Sequence, residues 1–471
     1  MKGAPVMVRE DSKNTPVQIS NEEFRQIGYD LVDRIADFYE TIGERKVKPD
    51  EGVQEIRKAL GAKPIPEHGI PPAEIVERAY ELLINHSLFN SHPRFLGYIT
   101  ASPTPIGALA DFLAAAINPN VGAWQIAPMA TEIELQTVRW IAELIGFPSD
   151  CGGILVSGGN MANFVGFLAG RKHKFPGDVR TKGTSACEGK PRVYCSAATH
   201  TWVQKAADLY GLGTDAIRWI GTNMSQQMDS NALIAQIDAD LAAGDVPLMV
   251  IGTAGSVSSG AIDPLPKLST ICRQYDLWFH VDGAYGGFAA CLPDAPADLK
   301  GLSLADSVAI DPHKWLYQPL EAGCVLVRDA QIQSETFSYH PVYYRWEDVV
   351  KEEIPINLVD YSPQNSRGFR ALKVWMSLQQ AGRRGYQQMI KEDIQLAKRL
   401  FELAEQHPEL QAQSCELSIT TFRYVPDGID PEDEGNLDLL NELNGELLTT
   451  LQRRGEMFVS NALMNGRFLL R

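Results

Sequence analysis

Apolar residues recur at helical spacing over the first ninety positions and then give way to short strand-like runs. Phe24, Ile27, Leu31, Ile35 and Phe38 predict an amphipathic helix over residues 21–46. A second, short helix is predicted within 48–72, between proline-rich turns, and a third over 73–90, with Ile75, Ala79, Leu82 and Leu83 on one face. This stretch has no strand pattern, so its apolar faces must be buried by the main body or by a second chain. From about residue 105 the pattern changes. Helices are predicted over 105–117 and 129–145. Apolar runs then alternate with helical segments: Ile154–Val156, Arg192–Cys195, Leu248–Gly252, Trp278–Val281, Val308–Ile310 and Cys324–Val327. That alternation predicts an α/β domain with a largely parallel sheet, and ligands in such sheets bind beyond the carboxyl ends of the strands.

After Ser366 comes a long helical stretch over 369–404, a weaker strand signal over 417–424, an acidic loop over 426–438, a last helix and a strand-like run over 466–470. These predict a small C-terminal α+β domain. The expected division is a helical arm over 1–104, a large α/β domain over 105–375 and the small domain over 376–471.

Composition narrows the function classes. Hydrophobic residues make up 44% and charged residues 22%, as in an ordinary globular protein. The net charge of -16 argues against nucleic acid and anionic membrane surfaces as partners. The seven cysteines are scattered with no Cys-x-x-Cys pair, which fits reduced thiols in a cytoplasm rather than a disulfide framework or a metal site. Met1–Thr15 is polar, without the apolar core of a signal peptide. The longest membrane-span candidate, Gly107–Ile117, is short and interrupted by Asp111.

Two strand ends carry the chemistry. Lys314 follows Asp306–Ile310 within Asp311-Pro312-His313-Lys314-Trp315, and Asp282 ends Trp278–Val281 before Gly283-Ala284-Tyr285-Gly286-Gly287. A lysine among apolar neighbours is partly desolvated, which frees its amine to form a Schiff base. A carboxylate among small residues leaves room for a flat ring and can hold a pyridinium proton. Together they are what pyridoxal phosphate asks of a protein. Ser157-Gly158-Gly159-Asn160 lies between a strand and a helix, where free N–H groups suit a phosphate, although a tight turn with a helix cap explains it equally. His200 follows another strand and offers an imidazole to stack on a ring. Thr253 is a hydrogen-bond donor at a strand end, or a hydroxyl satisfied there. Ser338–Arg345 reads as an aromatic loop, either packed down or serving as a lid with Tyr343 as proton donor.

His-Val-Asp-Gly-Ala-Tyr at 280–285, Pro-His-Lys-Trp at 312–315 and His200 upstream resemble the group II pyridoxal phosphate-dependent decarboxylases of fold type I, and the resemblance spans nearly the whole chain. It implies a homodimer with the N-terminal arm wrapped over the neighbour, and decarboxylation of an L-amino acid. Lys314 would hold the cofactor, Asp282 would face its ring nitrogen and His200 would stack on it. Gly158, Gly159 and Asn160 would bind its phosphate with Asp311 and His313 close by. Thr253 and Ala284 would line the ring, and Tyr343 would return a proton to the substrate carbon. Tyr98, Ile99 and Trp124 would face the substrate. An aromatic substrate fits Tyr98 and Trp124 best, while Arg94 keeps an acidic one open. The rivals are an aromatic acetaldehyde synthase and a non-catalytic pyridoxal phosphate-binding protein.

The chain departs from the family in three places. Many members have Asn where this chain has Asp311, and a carboxylate near phosphate repels it unless protonated or turned away. Ile99, Asn120 and Gly122 stand where bulkier apolar residues line the pocket of the animal enzyme. Family members continue past the strand that ends at Arg471.

Overall fold

The six strands predicted from apolar runs lie with a seventh in one sheet. The computed structural model describes residues 16–339 and 355–471. They divide into two compact units, one made by the residues up to Leu96 with Leu447–Val459, the other by Gly97–Glu446 with Ser460–Arg471.

In the second unit the strands are β1 (Gly152–Val156), β2 (Pro191–Ser196), β3 (Ile217–Ile220), β4 (Val246–Thr253), β5 (Trp278–Asp282), β6 (Ser307–Ile310) and β7 (Gly323–Val327), in the order β1-β7-β6-β5-β4-β2-β3. Strands β3, β2, β4, β5 and β6 pair in parallel, and β7 runs antiparallel to both β6 and β1. β1 therefore points the same way as β6. The carboxyl ends of β1, β2, β4, β5 and β6 share one edge of the sheet.

Continuous apolar runs form these strands because both faces are covered. Every residue of β1, β5, β6 and β7 is buried. Alternate side chains enter two cores. Leu155, Val250, Phe279, Val281 and Val308 face one, and Ile154, Val156, Met249, Trp278 and Ala309 face the other. On the second face lies a helix over Gly159–Lys174, against which β5 packs closely. A Cβ on Gly166 would stand 2.7 Å from His280 Cε1, and one on Gly170 would stand 2.6 Å from Trp278 Cδ1.

One strand goes unread and two local readings are refined. β3 was not legible, because four residues with Arg218 and the exposed Trp219 at a sheet edge make too short a run. The predicted strand over 417–424 is the second arm of a hairpin, β8 (Leu410–Glu416) and β9 (Ile419–Tyr424), with Leu417 at φ 52° in the turn. The long C-terminal helix, Ala371–Gln406, is broken at Gly382, where φ is 62° and ψ is 176°. β8 and β9 join β10 (Asn461–Met464) and β11 (Arg467–Leu470) in a four-stranded antiparallel sheet.

The first unit contains α1 (Asn21–Thr41), α2 (Val53–Leu60) and α3 (Pro72–His86), none with a buried residue. Ser20 caps α1 by accepting from Glu23 N at 3.1 Å. Arg34 on α1 forks onto Glu77 on α3 and lies over the Tyr80 ring. Arg94 donates to Arg45 O at 3.3 Å.

Candidate active site

Lys314 is held on a short turn whose far side is pinned to the C-terminal helix. β6 ends at Ile310, and Pro312 opens a single helical turn, Pro312–Trp315. The buried Trp315 indole donates to Asp393 Oδ2 at 2.7 Å and stacks on Tyr285 at 4.9 Å between ring centres. Tyr317 donates to the same carboxylate oxygen. Lys314 Nζ points the other way, 3.2 Å from Asp311 Oδ2.

Asp282 ends β5 in register with Thr253 at the end of β4. Its Oδ2 accepts from Trp202 Nε1 at 2.7 Å, and its Oδ1 accepts from Ala284 N at 3.2 Å. Behind it the polar groups of β5 are paired. Asn163 Nδ2 donates to Gly159 O at 2.9 Å, which turns Asn163 Oδ1 toward His280 Nε2 at 2.8 Å. His280 is thus protonated on Nε2, and Nδ1 accepts from Ser307 Oγ at 2.7 Å. Trp278 Nε1 donates to that same hydroxyl oxygen at 2.9 Å. Burial lowers the His280 pKa to about 4, against the pull of Asp282. Trp202 meets the His280 ring edge-on at 5.6 Å.

The glycine loop after β1 is shaped by close approaches. Gly158 has φ 89°, and a Cβ on it would stand 3.2 Å from His313 Cε1. A Cβ on Gly159, the first residue of the helix Gly159–Lys174, would stand 2.6 Å from Asp311 Oδ2. Asp311 is 1% exposed, and its Oδ1 has no hydrogen-bond partner. Burial pushes its pKa up, while Lys314 and His313 oppose that. Burial lowers the pKa of His313, whose Nδ1 lies 2.8 Å from Ala322 O.

A cavity of about 330 Å³ opens among these groups. Of the residues singled out in the sequence, Ile99, Gly159, Asn160, His200, Thr253, Asp282, Ala284, Asp311, His313 and Lys314 line it. Gly158 lies just behind, against Gly323. His200 has an exposed edge, and its Nδ1 accepts from Trp202 N at 3.3 Å. Partial desolvation lowers its pKa, opposed by Asp282. Thr253 Oγ1 is buried without a partner, while Thr253 N donates to the buried Asp263 at 2.8 Å. Tyr98 and Trp124 do not line the cavity. Tyr98 is 61% exposed, and Trp124 Nε1 donates to Glu132 Oε1 at 2.9 Å. Tyr343 lies outside the described residues.

Sequence reasoning missed Trp202, Asp393 and Arg471. Trp202 stands two positions after His200 and was open to notice. Asp393 carries no local signal. Arg471 donates from Nη1 to the carbonyl of Val257, a cavity residue, at 2.6 Å.

These donors fit pyridoxal phosphate. The cavity presents a primary amine, a buried carboxylate braced by two N–H donors, an unsatisfied threonine hydroxyl, and a helix start where no Cβ fits.

Residues 57–425 match the family model described as the pyridoxal-dependent decarboxylase conserved domain. The chain is 33% identical over 456 residues to an aromatic-L-amino-acid decarboxylase of Bacillus atrophaeus, covering 97% of this chain and 92% of that protein. It is 27% identical over 462 residues to a phenylacetaldehyde synthase of Arabidopsis thaliana, covering 96% and 92%. The crystal structure of Oryza sativa TDC with PLP and tryptamine superposes with a TM-score of 0.87 at 26% identity, covering 96% of this chain and 93% of that one. The amine, the carboxylate and the glycine loop thus stand in a known setting: the chain belongs to the pyridoxal-dependent decarboxylase family and is a pyridoxal phosphate-dependent carboxy-lyase.

Proposed function

We propose that this decarboxylase acts on an aromatic L-amino acid, releasing the corresponding amine and carbon dioxide. One observation carries the substrate class. Among the described residues that line the cavity, Lys314 is the sole lysine or arginine, and it is engaged by Asp311. An acidic side chain entering there would lose its hydration with no arginine fork to replace it. The likeness to the Bacillus atrophaeus enzyme supports the same class.

Bound pyridoxal phosphate supplies an electron sink for the pair left when the carboxylate departs. The side chains do the rest. Lys314 anchors the cofactor. Asp282, held by Trp202 and Ala284, keeps a proton on the ring nitrogen. His200 would cover the ring, with Thr253 and Ala284 bordering it. Gly158, Gly159, Asn160 and His313 would hold the phosphate, with Asp311 beside them. Tyr343 delivers a proton to the substrate Cα. Ile99, Tyr98 and Trp124 face the substrate, the latter two in a site completed by a second chain.

A homodimer is supported by apolar surface. Leu109, Leu113 and Ile117, on a helix over Pro105–Ile117, are 53%, 45% and 66% exposed, and α1, α2 and α3 bury no residue. All seven cysteines are free, which supports a cytoplasmic location.

The similarity to a phenylacetaldehyde synthase favours a second reading, oxidative release of an aldehyde. Carbon dioxide, amine, aldehyde and oxygen uptake, followed over tyrosine, tryptophan, phenylalanine, histidine, glutamate and cysteine sulfinate, separate these readings. Amine from an aromatic acid is expected. Preference for glutamate or cysteine sulfinate would overturn the substrate class and point to Arg471, and aldehyde as main product would overturn the reaction.

A further inference from the structure

Of the two carboxylates among the described residues that line the cavity, Asp282 has both oxygens engaged and Asp311 does not. Asp311 Oδ2 lies 3.2 Å from Lys314 Nζ and 3.7 Å from His313 Nε2. Its Oδ1 is sealed from water and accepts nothing. The carboxyl sits against the start of the helix Gly159–Lys174, 2.6 Å from where a Gly159 Cβ would be. A phosphate bound at that helix start, as the proposed reading has it, would meet an ionised Asp311 in a water-poor pocket. A protonated Asp311 changes the sign of the contact, because its O–H donates to a phosphate oxygen.

We propose that Asp311 takes up one proton as the phosphate of pyridoxal phosphate enters, so that cofactor loading is coupled to proton uptake and weakens as pH rises. The same event removes the charge that holds Lys314 Nζ at Asp311, so the side chain is no longer tied there. The groups facing Asp311 set the balance. Lys314 and His313 on its own turn favour the ionised form, and His200 across the cavity faces it as well. Burial and Asp282 at the end of β5 favour the protonated form. Cys324 on β7 is a buried thiol whose pKa is pushed well up, so it stays neutral. A phosphate dianion adds to the protonating side.

The inference rests on pyridoxal phosphate as the cofactor. Its test is calorimetric titration of cofactor-depleted full-length protein with 4′-deoxypyridoxine 5′-phosphate, which has the ring and phosphate but no aldehyde, so no bond to Lys314 forms. Titrations in buffers of different ionisation enthalpy, from about pH 6 to about pH 9, count the protons bound. Wild type is expected to take up close to one proton more than Asp311→Asn. Between the Asp311 pKa values of the free and loaded protein, its Kd should rise about tenfold more per pH unit than that of the variant. The ring-nitrogen and phosphate protons are common to both proteins and cancel. Asp311→Ser gives the same comparison if the Asn variant does not fold. Equal proton uptake in wild type and a folded variant would overturn the inference while leaving the cofactor in place. Failure of wild type to bind pyridoxal phosphate itself would overturn the cofactor reading instead.

Discussion

Trp202 and Asp282, eighty positions apart, are joined by a 2.7 Å hydrogen bond from indole Nε1 to carboxylate Oδ2. The backbone N–H of Trp202 donates to His200 Nδ1 as well. One residue therefore orients both His200 and the Asp282 carboxylate. Trp202→Phe keeps most of the buried bulk and removes the donor. A buried oxygen left without its partner costs about 1–3 kcal/mol, so pyridoxal phosphate affinity should fall roughly tenfold or more by that energy. Absorbance titration of the cofactor checks this, and unchanged affinity would show that Trp202 only fills space.

Borohydride reduction followed by peptide mapping should place the cofactor on Lys314. Asp282→Ala should weaken cofactor binding by about 3–5 kcal/mol, the usual cost of stripping one member from a buried charged pair. A reduced adduct on another lysine would refute the assignment.

Tyr343→Phe should slow amine release while the cofactor still binds. A positioned general acid contributes about 10²–10⁴ in rate, and without it oxygen competes for the substrate carbon. Amine yield should drop as aldehyde, ammonia and peroxide rise. A variant with wild-type amine output would remove Tyr343 as the donor.

His280 makes stability fall on acidification. Its pKa drops from 6.5 in the unfolded chain to about 4 in the fold. Between those values the unfolded state binds more protons. The stability is full above pH 6.5 and is lost as pH falls toward 4, by about 3 kcal/mol in all. Asp263 acts in the opposite sense. Burial raises its pKa from 3.8 to about 6, so its contribution is lost as pH rises through that window. Denaturant melts of wild type and His280→Asn across this range isolate the histidine, because Asp263 is common to both. The stability difference should shrink toward pH 4, and a constant difference would contradict the burial argument.

Ile117→Glu places a charge on the exposed apolar face of the helix Pro105–Ile117. Sedimentation should show a shift from dimer to monomer with little change in fold by circular dichroism. A variant that stays dimeric would move the interface elsewhere.

The α/β class, six of the seven large-sheet strands and the strand-end positions of Asp282 and Lys314 were legible in the order of residues. Those are local properties. A buried strand needs an unbroken apolar run, and a residue just past it stands at the sheet's edge whatever the rest of the chain does. Strand β3 escaped because an edge strand of four residues needs no such run. Which groups meet at that edge depends on strand order, which is fixed by long-range packing and leaves no local pattern. Trp202 reaches Asp282, Asp393 braces the turn bearing Lys314 from a helix 78 positions after Trp315, and Thr253 stands beside Asp282. The two aromatic residues expected at the substrate, Tyr98 and Trp124, have ordinary local patterns, but the fold leaves them off the cavity lining. The Asp311 oxygen with no donor was equally out of reach of pattern. Hydrogen-bond satisfaction is a sum over neighbours that folding brings together, and periodicity along the chain carries no record of it.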